Sequence, residues 1–169
     1  MEEQLKNIFA NINDWLKFAE TKTAALLTAN GLIVFGIIRT LSNVEKNLYS
    51  NSVLYLAVLL LIISLLLCLA SFIPSLKIPW LLKVKKTLDN DNLLYFADIA
   101  KYNSKVYLEK LAISLEKPDT KATNFENYYA QQIIINSIIA LKKYRLFTFS
   151  IWLTVIAVIL LVSFLTTIV

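Results

Sequence analysis

Apolar residues follow two different patterns along this chain, and the change from one to the other lays out its elements. Across residues 1–22, Leu5, Ile8, Phe9, Ile12, Trp15, Leu16 and Ala19 return every three or four positions. Glu2, Glu3, Lys6, Asp14, Lys17 and Glu20 fall elsewhere on the wheel. That spacing predicts an amphipathic helix with one buried face. Beyond Lys22 the periodicity gives way to continuous apolar runs at Thr23–Ile38, Val53–Leu76 and Leu146–Val169. The last two hold 24 residues each without Asp, Glu, Lys or Arg. At ~1.5 Å per residue such a run makes ~36 Å of helix, enough for a hydrocarbon core of ~30 Å. The first holds 16 residues between Lys22 and Arg39, and reaches the same thickness when both cationic side chains snorkel. Only Gly31 and Gly36 interrupt the stretch from Glu3 to Leu41, and membrane helices tolerate both. One continuous helix is therefore expected there, its first half outside the bilayer.

The segment 77–145 is the only sizeable piece left over, about 69 residues. Pro79 can start a short helix to about Leu88, and Asp89-Asn90-Asp91-Asn92 is a turn signal. Leu93–Ala100 is apolar and too short for its pattern to separate helix from strand. Ser104 is a candidate N-cap for a helix through Leu115, and Lys117-Pro118-Asp119 breaks it. Thr123 and Glu126 have the spacing of a capping box, opening a helix that runs unbroken into the third span. An insert this small lacks a robust core of its own and is expected to pack on the amphipathic face of residues 5–19.

Charge orients the arrangement. Twelve of the 17 Lys and Arg residues lie between Lys77 and Arg145, seven of them (Lys77, Lys83, Lys85, Lys86, Lys142, Lys143 and Arg145) close to a span. With Lys6, Lys17 and Lys22 they place ten positive residues on one side, against Arg39 and Lys46 on the other. The positive-inside rule then predicts a cytoplasmic N-terminus, an outer loop 40–52, a cytoplasmic region 77–145 and a C-terminus outside. Tyr49 and Tyr55 would mark the outer interface, Trp80 and the Tyr144–Trp152 cluster the inner one. This placement of the +5 net charge speaks against a nucleic-acid polymer as partner. The opening Met1-Glu2-Glu3 is not that of a signal peptide.

The fold class expected is all-α: an integral membrane protein with three transmembrane helices and a cytoplasmic helical bundle. Its parts are an amphipathic helix 1–22 continuous with the first span, two spans in 23–76, the cytoplasmic region 77–145 and a third span 146–169.

Little in the chain supports catalysis. It has no His and a single Cys, Cys68, in mid-span, so nucleophilic catalysis and a zinc site lose their usual residues. Its two glycines cannot form a phosphate loop. No catalytic residue, metal or cofactor is expected. Asp89 and Asp91 read as a solvated turn rather than metal ligands. Glu20-Thr21-Lys22 reads either as a helix flank or as a partner, by ion pair or shared ligand, for Lys142-Lys143-Tyr144-Arg145. Asn30, near the centre of the first span, needs a polar partner, whether in a helix–helix hydrogen bond or along a pore. Tyr95, Phe96, Tyr102, Tyr107, Phe125, Tyr128 and Tyr129 read first as core. With Lys101, Lys105 and Lys110 they alternatively suit one small, stackable anion.

Three segments, in this order and spacing, resemble a known family. They are Ala19-Glu20-Thr21-Lys22 leading into Ala25–Gly31; Leu93–Ala100 followed by Tyr107-Leu108; and Tyr129-Ala130-Gln131-Gln132-Ile133 running to Lys142-Lys143-Tyr144-Arg145. Together they are similar to the small transmembrane effectors of bacterial Pycsar antiphage systems over roughly residues 14–165. The resemblance implies a defence role in the bacterial inner membrane. A companion cyclase would make cyclic CMP or cyclic UMP, and the effector would answer by impairing that membrane and stopping growth. Candidate ligand-binding or gating residues are Glu20, Lys22, Asn30, Tyr107, Gln132, Lys143 and Arg145. Membrane lipid, the cyclic nucleotide and further copies of the chain are the expected partners. The alternative is a membrane-anchored scaffold whose bundle docks another protein.

Overall fold

Helix α1 (Glu2–Thr40) starts with Glu2 and Glu3 in its first turn and ends with Arg39 in its last, each charge opposing the helix dipole at its own end. Glu2 and Lys6 pair at 2.6 Å one turn apart, and Asp14 and Lys17 at 3.6 Å. The computed structural model describes residues 1–40, 48–73, 87–88, 90–118 and 121–166. The remaining helices are α2 (Leu48–Phe72), α3 (Phe96–Ile99), α4 (Ser104–Ser114) and α5 (Asn124–Thr166). Among the described residues no strand occurs. Among these residues three helices are long and apolar enough to cross a membrane: Glu2–Arg39, Ser52–Phe72 and Asn124–Thr166. At 43 residues α5 is about 65 Å long, roughly twice the hydrocarbon thickness. The expected helix from Pro79, the interface marker Trp80 and the centre of the loop after α1 lie outside the described residues.

The chain forms two compact units. The first comprises Met1–Ala19 and Pro74–Tyr144, the second Glu20–Ile73 and Arg145–Val169.

In the first unit, Leu5, Ile8 and Ile12 share a buried cluster with Phe96, Ile99, Tyr107, Leu111, Ile133 and Ile138. The amphipathic face of α1 is thus the face that closes the core of the insert. Leu93–Ala100, open between helix and strand on pattern alone, contains the single helical turn α3, entered from an extended Tyr95. One cap departs from expectation. Asn103, not Ser104, caps α4: its backbone is extended and its Oδ1 accepts the Val106 N–H at 2.9 Å. Asn presents an acceptor at that reach as readily as Ser, so Ser104 becomes the first helical residue. The capping box forms as expected. Thr123 N–H donates to Glu126 Oε2 at 2.9 Å, and Glu126 N–H to Thr123 Oγ1 at 3.2 Å.

Helix α4 ends before the Lys117-Pro118 break; two residues past its last turn Glu116 holds φ at +58° while Lys117 N–H reaches back to Ala112 O at 2.9 Å. Glycine usually fills this left-handed position. Glu116→Gly is therefore expected to stabilise the unit by about 0.5–1 kcal/mol, since the relief of strain exceeds the added chain entropy. Thermal unfolding in detergent checks it; an unchanged or lowered midpoint contradicts it.

In the second unit, Ile37, Leu54, Leu61, Ala157 and Phe164 form the buried cluster. Other large apolar side chains point outward: Leu32, Phe35 and Ile38 on α1, Leu59 and Leu66 on α2, Trp152 and Ile159 on α5. A surface so apolar on every helix suits lipid rather than water.

Candidate functional site

The chain from Leu88 to Tyr102 is held by its own side chains, with Asp91 at the hub. Asp91 Oδ2 accepts the Leu88 N–H at 2.8 Å and the Tyr102 hydroxyl at 2.9 Å. Its Oδ1 takes Lys101 Nζ at 2.6 Å, and Lys101 also donates to Asp98 Oδ1 at 2.5 Å. The Asp91 side chain is 3% exposed, so the solvated turn expected here is corrected. Its partners lie 10 and 11 residues further on, beyond the reach of a turn signal. Asp89 lies outside the described residues.

The Leu88 N–H, then Lys101, hold the Asp91 carboxyl down to about 2. A carboxyl depressed in the folded state adds stability above its unfolded value near 3.8, and that stability is lost as pH falls through about 2. Wild-type unfolding temperature should therefore drop between those values more steeply than that of Asp91→Asn. Parallel slopes would rule the assignment out.

Against this knot lies a cleft of about 790 Å³. Gln4, Asn7 and Ile8 of α1 form one wall, Asp91–Leu94 the second, and Lys110, Leu111, Ile113 and Ser114 of α4 with its cap Leu115 the third. Lys110 is held in place: Nζ donates to Leu88 O at 3.2 Å and sits 5.5 Å from the Tyr102 ring centroid. Tyr107 supports the loop from beneath, fully buried, its hydroxyl donating to Leu93 O at 3.0 Å. Burial pushes that phenol well above its usual range, so it stays a neutral donor. The cleft combines one cation, one carboxylate already paired with Lys101, amides from Gln4, Asn7 and Asn92, and leucine walls, in the size range of small-ligand pockets. A second cleft, about 870 Å³, lies between α4 and the start of α5 and carries Lys105, Glu109 and Lys121. All three of these are exposed, whereas Lys110 is partly buried, so the first cleft offers the better-formed cationic contact.

The second unit holds a polar ring in an apolar setting. Asn30 Nδ2 donates to Ser64 Oγ at 2.9 Å, and Thr154 Oγ1 donates to Asn30 Oδ1 at 3.0 Å. Ser64 and Thr154 hydroxyls are 3.0 Å apart, and both lie within 3.0 Å of Ser150 O. Asn30 and Ser64 are fully buried and Thr154 is 7% exposed. Donors can run one way around Asn30, Ser64 and Thr154, so one residue from each of α1, α2 and α5 satisfies the next. This is the helix–helix hydrogen bond weighed for Asn30.

The other expected residues take different places. Glu20, Gln132 and Arg145 are exposed and Lys143 is partly buried. Lys22 is partly buried, its Nζ 5.9 Å from the Phe147 ring centroid. Tyr107 is in the core and Gln132 on an open helix face, so those two do not share a surface. Of the aromatic set, Phe96 stacks on Tyr144 with centroids 5.1 Å apart and packs on Trp15 at 5.8 Å. Sequence reasoning missed Gln4, Asn7 and Asn92 in the cleft and Ser64 and Thr154 in the ring. A hydroxyl inside an otherwise apolar span was the available signal for the last two.

A family model described as the Pycsar effector protein domain matches residues 4–169. No curated protein and no solved structure matches the chain.

Proposed function

The chain belongs to the Pycsar effector family, and on that premise we propose that it is an inner-membrane antiphage effector switched by cyclic CMP or cyclic UMP. Pycsar effectors are cyclic-nucleotide-linked signalling proteins of antiphage defence. The observation that supports a nucleotide as direct ligand is the cleft beside the Asp91 knot. A cyclic mononucleotide carries one phosphodiester charge, a ribose hydroxyl and a planar base with a donor–acceptor edge. Lys110 suits the phosphate, the amides of Gln4, Asn7 and Asn92 suit the base edge, and the leucines suit its faces.

Ligand binding shifts a conformational equilibrium only through differential affinity. In this reading the cleft closes on the first two turns of α1, and α1 runs on as one helix into the second unit. The cleft-bearing unit stands on the cytoplasmic side, where the cyclase product is made, and the C-terminus stands outside. Lys22, Lys143 and Arg145 are the headgroup-level cations, with Glu20 beside them. Membrane impairment follows when the spans leave the arrangement closed by Asn30, Ser64 and Thr154.

Titration calorimetry with a panel of cyclic nucleotides tests the ligand. Lys110→Gln should weaken binding about 10–100-fold, the worth of a charge-assisted hydrogen bond. Equal affinity of wild type and variant would move the site elsewhere, and no binding of either pyrimidine nucleotide would sink the ligand assignment. Depolarisation in cells with and without the cyclase tests the effect. Binding without depolarisation favours the scaffold reading.

A further inference from the structure

Helix α5 carries a largely exposed stripe in the first unit, which meets that unit's core where the Phe125 ring lies 5.1 Å from Tyr129. Phe125, Tyr128, Gln132, Ile135 and Ile139 follow one another at steps of three, four, three and four. Phe125 is 51% exposed, Tyr128 62% and Ile135 47%; Gln132 is also exposed and Ile139 partly so. The opposite face, with Ala130, Ile133, Ile134 and Ile138, is the one spent on the core. Lipid does not account for the stripe. About 20 residues suffice to cross the hydrocarbon core. The charge-free stretch after Arg145 supplies them, leaving Phe125–Ile139 beyond Lys142 and Lys143. Two large aromatics and an isoleucine in water on one helix face mark a contact surface.

We infer that this face of α5 binds the same face of a second copy of the chain, the two helices lying parallel in a coiled-coil seam. Three features point to a second copy rather than another occupant. The alternating three-and-four spacing is the seam of supercoiled helices, in which like positions meet like. Copies inserted in one membrane share one orientation, so rotation about the membrane normal sets their α5 helices parallel. From Asn127 to Leu141 the helix has no charged residue, so identical copies meet without like-charge repulsion. Gln132, at the middle of the stripe, then faces its own counterpart, and an amide pair at a seam position fixes the register. The seam is independent of the nucleotide site and does not need it. Past Lys142 the same spacing continues through Leu146, Phe149, Leu153 and Ile156, where lipid already accounts for exposure.

The test uses the full chain in native membranes. Tyr128→Cys and Ile135→Cys, each made with Cys68→Ala, should cross-link to a dimer with a short bismaleimide. Glu109→Cys, on the exposed side of α4, should not. Cross-linking at Tyr128 and Ile135 no stronger than at Glu109 overturns the seam, and so points to another protein or another part of this chain as the cover. After mild solubilisation, Ile135→Glu and Tyr128→Glu should lower the mass to that of a monomer with helix content unchanged. A wild-type mass retained in both variants also overturns it.

Discussion

Tyr107→Ala is expected to cost the first unit about 3–5 kcal/mol, the range for emptying a buried aromatic site. Among the described residues Tyr107 is the largest of the fully buried side chains. Its ring lies 6.3 Å from that of Tyr102, and its hydroxyl carries the Leu93 carbonyl at 3.0 Å. Truncation removes the ring from a cluster fed by α1, α3, α4 and α5 and leaves that carbonyl unsupported. A small domain has only about 5–15 kcal/mol in all, so the unit should melt far below wild type. Tyr107→Phe keeps the volume and loses one hydrogen bond, about 1 kcal/mol. Unfolding of the pair in detergent separates packing from hydrogen bonding; comparable losses would show that the hydroxyl, not the ring, holds the cleft wall. In the proposed nucleotide site, Tyr107 would act by positioning Leu93 and not by touching the ligand.

The second large effect is expected in the spans. Ser64→Leu places a branched side chain where an unexposed hydroxyl stands among Asn30, Thr154 and Ser150 O. Overpacking costs about 1–3 kcal/mol. The Asn30 amide, deprived of its acceptor in a dry setting, adds about 1–3 kcal/mol more. Ser64→Ala should be far milder, about 0.6–1.7 kcal/mol, the measured worth of single hydrogen bonds between membrane helices. Thr154 softens that loss, because its hydroxyl already has a carbonyl of its own helix at 3.0 Å. Denaturation in mixed micelles, followed by fluorescence of the exposed Trp152, reads both. In the proposed switch, Ser64→Leu is expected to depolarise cells without any cyclase, because it disrupts the arrangement closed by Asn30, Ser64 and Thr154. A silent Ser64→Leu protein that inserts normally would separate the ring from the response.

How far the chain could be read depended on the range of each signal. The long helices were legible because their causes are local: Glu2 and Glu3 at one end of α1, Arg39 at the other, and the spacing of Leu5, Ile8 and Ile12 between them. The Thr123–Glu126 box was legible for the same reason, being complete within four residues. Asn103 displaced Ser104 by one position because two adjacent residues could both cap, and only backbone geometry chooses. The knot was illegible: Asp91 looks like any turn aspartate until Lys101 and Tyr102 return to it. The cleft was less legible still, since its walls come from residues as far apart as Gln4 and Leu115. Asn30 announced its need for a partner, and hydroxyls in apolar spans were the candidates, but the sequence did not single out Ser64 and Thr154 from Ser71 and Ser150.

The single thiol of the chain has a use of its own. Cys68 is 1% exposed, on α2 one turn beyond Ser64. Alkylation needs solvent-accessible thiolate, so the closed spans should leave it nearly inert. An opening at the ring wide enough for a small maleimide exposes Cys68, one turn along the same helix, to labelling. Its labelling rate is thus a built-in clock for span separation, readable on the natural sequence in intact cells.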